Sequence, residues 1–402
     1  MNKKILLLTT IYPAPDLSYG TPTVHYFTKE WVKMGYEVRV IHYQAVYPRI
    51  LYLFSSLFRE KIASLTGAVV FTKPDKGDKR YESDRVDVFR FPIFKWIPYG
   101  RFTKKTIQNQ IKKVIRINQE SNFNPDIIIG HFSNPQLIIV SLLKDVYHAK
   151  TCMIMHDVGK SIKKIYKKEY KILMNNIDVW GYRSKPIKEG FEKEYGEKRN
   201  SFFCYSGIPR NYILESSTKS FKGDLSKFVY VGELIKRKHP ISLIHAINSV
   251  NKDKKFHISY IGKGNEINQI KALSLSLQLN DNISFLGHIP RNEILNVLDE
   301  SECMIMISKN ETFGLVYLEA MARGCITIGS KKQGIDGIII DGVNGFLCNE
   351  GDSKDLENII NRINSISSKE KEQISQNAID TVKELTDSKV AKKYIIEVDN
   401  QF

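Results

Sequence analysis

The sequence has few cysteines and no long apolar run, and these two absences narrow the class of protein. Its 402 residues contain five cysteines, no two of which form a CxxC pair (Cys152, Cys204, Cys303, Cys325, Cys348). Scattered cysteines in odd number argue against a disulfide framework and a cysteine-ligated metal site, and they favour a reducing cytoplasm. No apolar run approaches the ~20 residues that span a bilayer. The opening ILLLTTIY lacks a small-residue cleavage site, so we expect a buried first strand and not a signal peptide.

Acidic residues are too few to balance the basic ones, and the deficit is confined to one half of the chain. The net charge is +16. The first 200 residues hold 35 Lys and Arg against 19 Asp and Glu, whereas the remaining residues hold 25 of each. A surplus confined to one half predicts an anionic partner for that half, which could be nucleic acid, an anionic membrane surface or a phosphorylated substrate.

The chain is rich in short apolar segments that alternate with helical patterns. In the first half the strand candidates are KILLLTTIY, EVRVIHY, DVFRF, DIIIGHF, TCMIMHD, DVWGY and SFFCY. In the second half they are KFVYVGEL, FHISYIGKG, ISFLGHI, CMIMIS, CITIGS and GFLC. Nearly all-apolar strands separated by helices are typical of parallel sheets covered on both faces. Two such series predict an α/β protein with two facing Rossmann-like domains and a cleft between them.

A polar segment divides the two series. Residues 208–227 are rich in Ser, Lys and Gly, and we interpret them as a linker. This places an N-terminal domain at residues 1–207 and a C-terminal domain at residues 228–385. The tail, residues 386–402, begins with an N-cap-like Thr-Asp-Ser, and we expect a helix that packs back toward the N-terminal domain.

The stretch NETFGLVYLEAMARG, residues 310–324, is the first candidate for a binding site. It follows the strand candidate CMIMIS, and ligands in open α/β sheets bind at the carboxyl ends of strands. We expect a helix to begin near Gly314, whose missing side chain lets a ligand approach the N–H groups of the first turn. Glu311 would lie at the helix mouth and Glu319 roughly 8 Å further along the axis, which suits a long polyol-bearing ligand. The alternative is a helix-dipole acid together with a Glu319–Arg323 surface pair.

Further loops in the second half also follow strand candidates. VYVGELIKRKH carries Gly232 and Lys238, YIGKGNE carries Gly262 and Gly264, NISFLGHIPRNEI carries Gly287, and residues 334–352 supply a glycine-rich loop. Each loop alone is more often a strand-end turn than a ligand loop. In this order and spacing they favour one ligand site at the strand ends.

Residues 228–352 resemble the donor domain of the family 4 glycosyltransferases, which have the GT-B fold. That family's usual segment is roughly E-G-F-G-L-x-x-L-E-A-M-A-x-G-x-P-V-I, and residues 311–328 are E-T-F-G-L-V-Y-L-E-A-M-A-R-G-C-I-T-I. A weaker resemblance covers the first half, which would then be the acceptor-binding domain. The resemblance implies a retaining enzyme of bacterial surface-polysaccharide biosynthesis. It would move a sugar from a nucleotide-diphospho-sugar, with a UDP-sugar favoured, to a hydroxyl of a glycan or lipid-linked acceptor.

The resemblance also implies roles for particular residues. Glu311 would contact hydroxyls of the donor sugar, His156 would hydrogen-bond that sugar, and Lys238 would hold the departing diphosphate, so these three are the catalytic candidates. The donor-binding candidates are Gly20, Gly232, Arg237, Gly262, Gly264, Thr312, Phe313, Gly314, Leu315 and Glu319, the last of these on the ribose. No cofactor and no metal is expected, because a lysine and helix amides can stabilise the departing charge.

Two departures from the family pattern concern the region of the diphosphate and the nucleotide sugar. Family members commonly carry an Arg directly after the glycine of the VGRL…K loop, and that position here is Glu233. Lys238 is retained, and Arg237 or Lys236 are the candidates to replace the missing bidentate Arg. The family's GGxPE loop is QGIDG here, at residues 333–337.

Polar residues of the first half also follow strand candidates. Gly20 matches part of the family's Gly-Gly turn, and Thr21 replaces the second glycine. His131 ends DIIIGH, and His156 and Asp157 end TCMIMHD. We take Thr21, His131 and Asp157 as acceptor-side candidates. Without the resemblance, both histidines would be interpreted as satisfied loop residues.

The basic surplus is concentrated in two helical patterns, FTKKTIQNQIKKVIRI (102–117) and KSIKKIYKKEYKIL (160–173). The aromatic segment FRFPIFKWIPYGRF (89–102) precedes the first of them. Basic helices beside Trp and Tyr suit docking on an anionic bilayer, so we expect a cytoplasmic enzyme bound peripherally to the inner face of the membrane. The alternative is that the apolar faces pack on the sheet and the lysines are solvated.

Two other classes of function stay open at this point. A sugar-nucleotide epimerase or hydrolase on the same fold would keep the nucleotide site but would need a water or a proton-abstracting acid. A basic nucleic-acid-binding protein could use the charged half. The sequence has no recognised nucleic-acid motif, however, and its basic residues interleave with aromatics only in residues 89–102, so we expect no nucleic-acid partner.

Overall fold

The computed structural model describes residues 3–16, 23–52, 77–97, 100–217, 219–251, 253 and 255–400. They form two compact units. The first comprises the chain up to Arg183, Ile187–Cys204 and the residues from Ser388 onward. The second comprises Ser184–Pro186 and Tyr205–Asp387. Each unit contains one sheet.

The first unit is built on a sheet of eight described strands in the order β3-β4-β2-β1-β5-β6-β7-β8. They are β1 (Lys4–Thr9), β2 (Glu37–Val46), β3 (Lys79–Ser83), β4 (Val86–Phe94), β5 (Ile127–His131), β6 (Lys150–Met155), β7 (Val179–Tyr182) and β8 (Ser201–Phe203). Neighbouring strands are parallel except β3 and β4. Ile5 to Leu8 of the central strand β1 are fully buried, as a sheet covered on both faces requires.

The described helices of the first unit cover this sheet. They are α1 (Thr23–Lys33), α2 (Lys104–Glu120), α3 (Gln136–Tyr147), α4 (Ser161–Tyr166), α5 (Tyr170–Asn175), α6 (Lys185–Tyr195) and the C-terminal α13 (Asp387–Asn400). Their apolar stripes enclose one core, in which Leu137 of α3 and Phe191 of α6 are fully buried. These stripes are what the helical periodicity of the sequence predicted.

The strand β3 was not predicted. Its residues, KRYES, are polar and at least partly exposed because β3 lies at the edge of the sheet. A two-residue turn at Asp84 and Arg85, whose φ angles are +51° and +63°, joins β3 to β4 in an antiparallel hairpin. An edge strand paired through such a turn does not need the apolar pattern on which the other strand predictions rested.

The C-terminal helix α13 belongs to the first unit, although it follows the second unit in the chain. Trp31 of α1 donates through Nε1 to the carbonyl of Ala391 at 2.9 Å. Tyr394 packs edge-on against Phe27 and Trp31, with ring centroids 5.1 and 5.0 Å apart. The helix therefore adds aromatic side chains to the core of the first unit, whose described strands lie much earlier in the sequence.

The second unit is built on six parallel strands in the order β11-β10-β9-β12-β13-β14. The strands are β9 (Lys227–Val231), β10 (His257–Ile261), β11 (Ile283–Gly287), β12 (Cys303–Ile305), β13 (Ile326–Ser330) and β14 (Phe346–Cys348). The helices are α7 (Pro240–Val250), α8 (Ile267–Ser276), α9 (Arg291–Glu300), α10 (Leu315–Ala322), α11 (Ser353–Ser365) and α12 (Ser368–Lys383). The crossover at β9, from β10 to β12, makes the switch point at which α/β sheets bind ligands.

The segment interpreted as a linker, residues 208–227, packs on the second unit. Four of its apolar side chains join that unit's core: Ile208, Ile213, Phe221 and Leu225. Lys219 donates through Nζ to three carbonyl oxygens at the end of α9, those of Leu298, Asp299 and Ser301, at 2.6 to 2.8 Å. A lysine that satisfies the last carbonyls of a helix fixes the segment in place.

The α/β architecture with two parallel sheets is confirmed, with β3 as the antiparallel exception among the described strands. All five cysteines are buried as free thiols. Within the described ranges, every helix is too short or too polar to span a bilayer.

Candidate active site

The amino end of α10 is formed by a glycine that no other residue could replace without strain. Gly314 has φ +79° and ψ +79°, and a Cβ placed there would lie 2.5 Å from the ring of Tyr317. Gly314 provides no side-chain cap, so the first turn of α10 keeps the partial positive charge of a helix amino end. The predicted helix start near Gly314 is confirmed, and its electrostatics suit an anion.

Glu311 and Lys238 form an ion pair beside this helix end. Lys238 Nζ donates to Glu311 Oε2, and the two side chains are only 14% and 12% exposed for Glu311 and Lys238 respectively. Ser308 Oγ lies 3.5 Å from the same carboxylate oxygen. The side chains that the resemblance assigns to the sugar and to the diphosphate thus neutralise each other, and a charged or polyhydroxyl ligand would have to share or separate them.

Glu319 is buried and paired with Arg291. The residue is 4% exposed. Arg291, the first residue of α9, donates through Nε to Glu319 Oε1 at 2.6 Å. Arg323, the partner expected from the i,i+4 spacing, bonds Asp299 instead, at 2.6 and 2.5 Å. The alternative of a Glu319–Arg323 surface pair is therefore wrong.

Arg291 is a residue of the site that the sequence analysis missed. A signal for it was available, because a cation in the first turn of a helix opposes the helix dipole and therefore indicates a specific anionic partner. Its guanidinium also lies 5.2 Å from the ring centroid of Tyr212, at the end of the packed segment 208–227 nearest the site. The guanidinium of Arg291 therefore contacts both the Glu319 carboxylate and the Tyr212 ring.

The glycines of the strand-end loops allow backbone to approach backbone. A Cβ on Gly262 would lie 1.9 Å from the carbonyl oxygen of Gly232, and one on Gly264 would lie 2.2 Å from that of Leu234. Gly232 donates to Ile261 O at 2.9 Å, which joins the loops after β9 and β10. These glycines are therefore explained by packing between loops, and their contact with a donor stays a prediction.

The loop after β9 does not restore the arginine that the family pattern predicts. Glu233 is exposed, and its carboxylate lies 4.0 Å from the guanidinium of Arg237. Arg237 also donates to the carbonyl of Lys309 at 3.2 Å. Arg237 is engaged by its own loop and by the loop before α10, while Lys238 is the cation that reaches Glu311.

The loop QGIDG braces the residues before α10. Gln333 Oε1 accepts from the main-chain N–H of Glu311 at 3.1 Å. Gly334 donates to the Glu311 carbonyl at 2.8 Å, and a Cβ on it would lie 2.4 Å from Phe313 N. Asp336 accepts from Lys332 N at 2.6 Å and closes the loop. This loop therefore fixes the main chain of residues 311–313.

In the first unit, the structure brings His131 and His156 together. His131 ends β5, and His156 follows the last residue of β6. Nδ1 of His131 lies 3.0 Å from Nε2 of His156. The ring of Phe132 stacks on His156 with centroids 3.8 Å apart. Burial, reinforced by the positive charge of Arg183, holds the pKa of both histidines well below the usual value, so both rings are neutral at pH 7.

The acceptor-side candidates have different environments. His131 is 0% exposed, and its contact with an acceptor stays a prediction. Asp157 is exposed and accepts from Gly159 N at 2.6 Å, closing a turn, and its contact with an acceptor stays a prediction. Gly20 and Thr21 lie outside the described residues. His156 is partly exposed, and its contact with a donor sugar stays a prediction.

A search of the described part of the chain for metal ligands finds no group of three or more His, Cys, Asp or Glu that could hold an ion.

The chain resembles one known family, two relatives and one solved structure, as follows. Residues 214–381 match the family model described as glycosyl transferases group 1. The amylovoran biosynthesis glycosyltransferase AmsK of Erwinia amylovora is 30% identical over 387 residues, which cover 90% of each chain. An uncharacterized glycosyltransferase of Methanocaldococcus jannaschii is 28% identical over 60% of this chain and 66% of that protein. The crystal structure of Anabaena HepE in complex with UDP superposes with a TM-score of 0.68 at 18% identity, covering 98% of this chain and 99% of that chain.

Proposed function

Because the chain belongs to the group 1 glycosyl transferases and is a glycosyltransferase with the GT-B fold, we propose that it is a retaining enzyme. It transfers a sugar from a nucleotide-diphospho-sugar to a hydroxyl acceptor. The observation that carries this proposal is the pair of largely buried acids on either side of the uncapped amino end of α10, each held by a cation: Glu311 by Lys238 and Glu319 by Arg291.

The two ion pairs suit the two ends of a sugar nucleotide. Glu311 accepts from hydroxyls of the sugar, while Lys238 turns toward the diphosphate. Glu319 accepts from the ribose hydroxyls while Arg291 donates to its Oε1. A carboxylate already fixed by a guanidinium needs little reorganisation when a hydroxyl arrives, which strengthens binding.

The departing diphosphate is stabilised by Lys238, once it has turned from Glu311, and by the amino end of α10. As the bond between the anomeric carbon and the phosphate oxygen breaks, negative charge grows on that oxygen. Lys238 and the N–H groups at the start of α10 carry the compensating positive charge. The acceptor oxygen forms the new bond on the same face, and its proton passes to the phosphate oxygen, so the sugar keeps its configuration and no protein base or metal is required.

A UDP-sugar is the favoured donor and a polysaccharide or its lipid-linked precursor the favoured acceptor. The structural likeness to a protein solved with UDP supports the first of these. The relative in amylovoran biosynthesis supports the second. His156 contributes a hydrogen bond to the donor sugar as a neutral, partly exposed imidazole.

The enzyme reaches a lipid-linked acceptor from an anionic membrane surface at the inner face of the membrane. Trp96 and Ile97, which follow β4, are 63% and 62% exposed. Lys104 begins α2, and its Nζ lies 3.1 Å from Glu169 Oε1, so that α2 adjoins the lysine-rich segment 160–171. Exposed aromatic and aliphatic side chains beside lysines suit an anionic bilayer.

The donor site is tested by thermal stability in the presence of a panel of nucleotide sugars, on the native chain and on Glu319→Ala. We expect one class of nucleotide sugar to raise the melting temperature of the native chain and to do so less in the variant. If no nucleotide sugar stabilises the native chain, the donor-site assignment is wrong. Equal stabilisation of both proteins removes Glu319 from the site.

The chemistry is tested by product analysis with the stabilising donor. Glycoside product distinguishes transfer from hydrolysis, which would release free sugar, and from epimerisation, which would change the sugar on the nucleotide. Lys238→Ala should lower kcat by about 10²- to 10³-fold. The exposed Lys227, at the amino end of β9, provides the control, since Lys227→Ala should keep nearly full activity. Equal losses in the two variants would place the catalytic cation elsewhere.

A further inference from the structure

Three side chains from distant parts of the sequence form a hydrogen-bonded line in the first unit. The hydroxyl of Tyr394, on α13, lies 3.2 Å from Nε2 of His131. Nδ1 of His131 lies 3.0 Å from Nε2 of His156. Tyr394 and His131 are both buried. The line ends at His156, which is partly exposed.

The direction of the hydrogen bonds follows from the burial of the Tyr394 hydroxyl. Among the described residues, the His131 ring is the hydrogen-bond partner of this hydroxyl. If His131 donated to the phenolic oxygen, the hydroxyl hydrogen would be left buried without an acceptor, which costs more than the bond gains. Tyr394 therefore donates its hydrogen to Nε2 of His131.

The position of each ring proton follows from that first bond. A neutral imidazole carries one proton, and a nitrogen that accepts a hydrogen bond does not carry it. Since Nε2 of His131 accepts, Nδ1 carries the proton and donates to Nε2 of His156. By the same rule, His156 carries its own proton on Nδ1.

The surroundings keep both rings neutral, so that each ring carries one proton. Arg183 has its guanidinium near the pair and donates through Nη1 to the Cys204 carbonyl at 2.8 Å. Its charge and the burial of both rings lower the pKa of His131 and of His156. Cys152 and Cys204 are buried thiols whose pKa values are raised, chiefly by that burial, so they add no negative charge to the cluster.

We infer that Tyr394 is a positioning residue that fixes His156 in the Nδ1–H tautomer through His131. The C-terminal helix α13 therefore contributes a positioning residue to the candidate active site of the first unit. The bond from Trp31 to Ala391 and the aromatic packing of Tyr394 hold this helix in register with His131. A role of Tyr394 in catalysis rests on the proposed contact of His156 with the donor sugar. In that contact, Nδ1 of His156 would donate a hydrogen bond to the sugar.

Nitrogen NMR of the full chain with ¹⁵N-labelled histidine tests the tautomers directly. His156→Gln and His131→Asn assign the two rings among the nine histidines. We expect both rings in the native chain to be neutral and protonated on Nδ1. A native His156 protonated on Nε2, or a charged His156 at pH 7, would overturn the inference whatever the activity measurements give.

Tyr394→Phe removes one hydroxyl and keeps the ring packing. It frees Nε2 of His131, so we expect both rings to populate the second tautomer. Tyr147→Phe is the matched control, because it also removes one hydroxyl from the first unit, which accepts from Asn118 Nδ2 at 3.0 Å. Unchanged tautomers in Tyr394→Phe, or equal changes in both variants, would show that Tyr394 does not set the tautomer.

Activity distinguishes this inference from the proposed function. Tyr394→Phe loses the hydrogen bond that orients His156 through His131. We therefore expect kcat to be about fivefold lower in this variant, with little change in KM for the acceptor. If His156→Gln leaves kcat unchanged while the spectra show the expected tautomers, the proposed contact of His156 with the donor fails and the assignment of Tyr394 stands.

Discussion

Arg291, the first residue of α9, donates to Glu319 Oε1 at 2.6 Å, and this bond compensates a carboxylate that is 4% exposed. Glu319 lies on α10, which packs beside α9. A buried carboxylate is tolerated only when a cation pairs with it. The pair therefore links the stability of the second unit to a carboxylate that we propose to bind the donor, and substitution of either residue tests both the stability and the binding.

Arg291→Leu should destabilise the chain by about 3–5 kcal/mol, because it leaves Glu319 buried and unpaired. Urea unfolding at pH 7 measures this loss. Replacing both residues, Arg291→Leu with Glu319→Leu, should recover most of the stability while donor binding remains lost. Arg323→Leu is the comparison, since its partner Asp299 is more exposed and the loss should be closer to 1 kcal/mol. An Arg291→Leu chain as stable as Arg323→Leu would show that Glu319 needs no partner.

Much of the fold could be predicted because its strands are nearly all apolar. KILLLT and KFVYV have buried side chains along almost their whole length, and this pattern is visible without any tertiary information. The edge strand β3 has no such pattern. The polar segment 208–227 looks like a linker because its few apolar residues, such as Phe221 and Leu225, carry no periodicity.

The candidate site was only partly predictable for a related reason. Gly314, Glu311 and Glu319 stand in one continuous stretch, so their placement around a helix start follows from local spacing. Their partners do not. Lys238 and Arg291 reach α10 because the loops after β9 and β11 end at the same edge of the sheet as the loop after β12, and that depends on strand order. The partner of His131 is likewise hidden from local spacing, since the Tyr394 hydroxyl, 3.2 Å from its Nε2, comes from the far end of the chain.

Gly262→Ala should destabilise the second unit strongly, in the absence of any ligand. The added Cβ would lie 1.9 Å from the Gly232 carbonyl oxygen, so the loops after β9 and β10 must separate. Gly287→Ala is the matched control, because it has φ +69° but open space around the Cβ position, and only backbone strain of about 1–2 kcal/mol is expected there. Thermal melting of both variants measures the difference. Similar melting temperatures would mean that the loops yield easily, and that Gly262 is required for a ligand and not for packing.

His42, buried in β2, makes stability depend on pH. Burial, with the neighbouring charge of Arg90 adding to it, lowers the pKa of His42 to about 4 in the folded chain. The unfolded chain binds this proton near its ordinary pKa of about 6.5. Stability from this group is therefore fully present above about pH 6.5 and is lost as the pH falls from there to about 4, by about 3 kcal/mol in all.

His42→Gln should make the free energy of unfolding less dependent on pH between about 4 and 6.5. Urea titrations at several pH values measure this slope, which should fall by the contribution of one proton. His131 and His156 keep part of the slope, because their pKa values are also lowered. His245→Gln, at an exposed position of α7, serves as the control for a His-to-Gln substitution. An unchanged slope in His42→Gln would mean that His42 is not held neutral by the fold.

Trp96→Ser should weaken binding of the chain to vesicles that contain anionic lipid, because it removes an exposed aromatic side chain from the surface proposed to dock. Lys104→Ala with Lys105→Ala should weaken it further and reduce its dependence on salt, by about fivefold in affinity for each lysine near the surface. Leu275→Ser is the control, since Leu275 is 63% exposed on the second unit and lies outside this surface. Co-sedimentation with anionic and with zwitterionic vesicles at two salt concentrations measures all four proteins. Tight binding to DNA in gel shifts without binding to vesicles would assign the basic surplus of the first 200 residues to nucleic acid and end the membrane proposal.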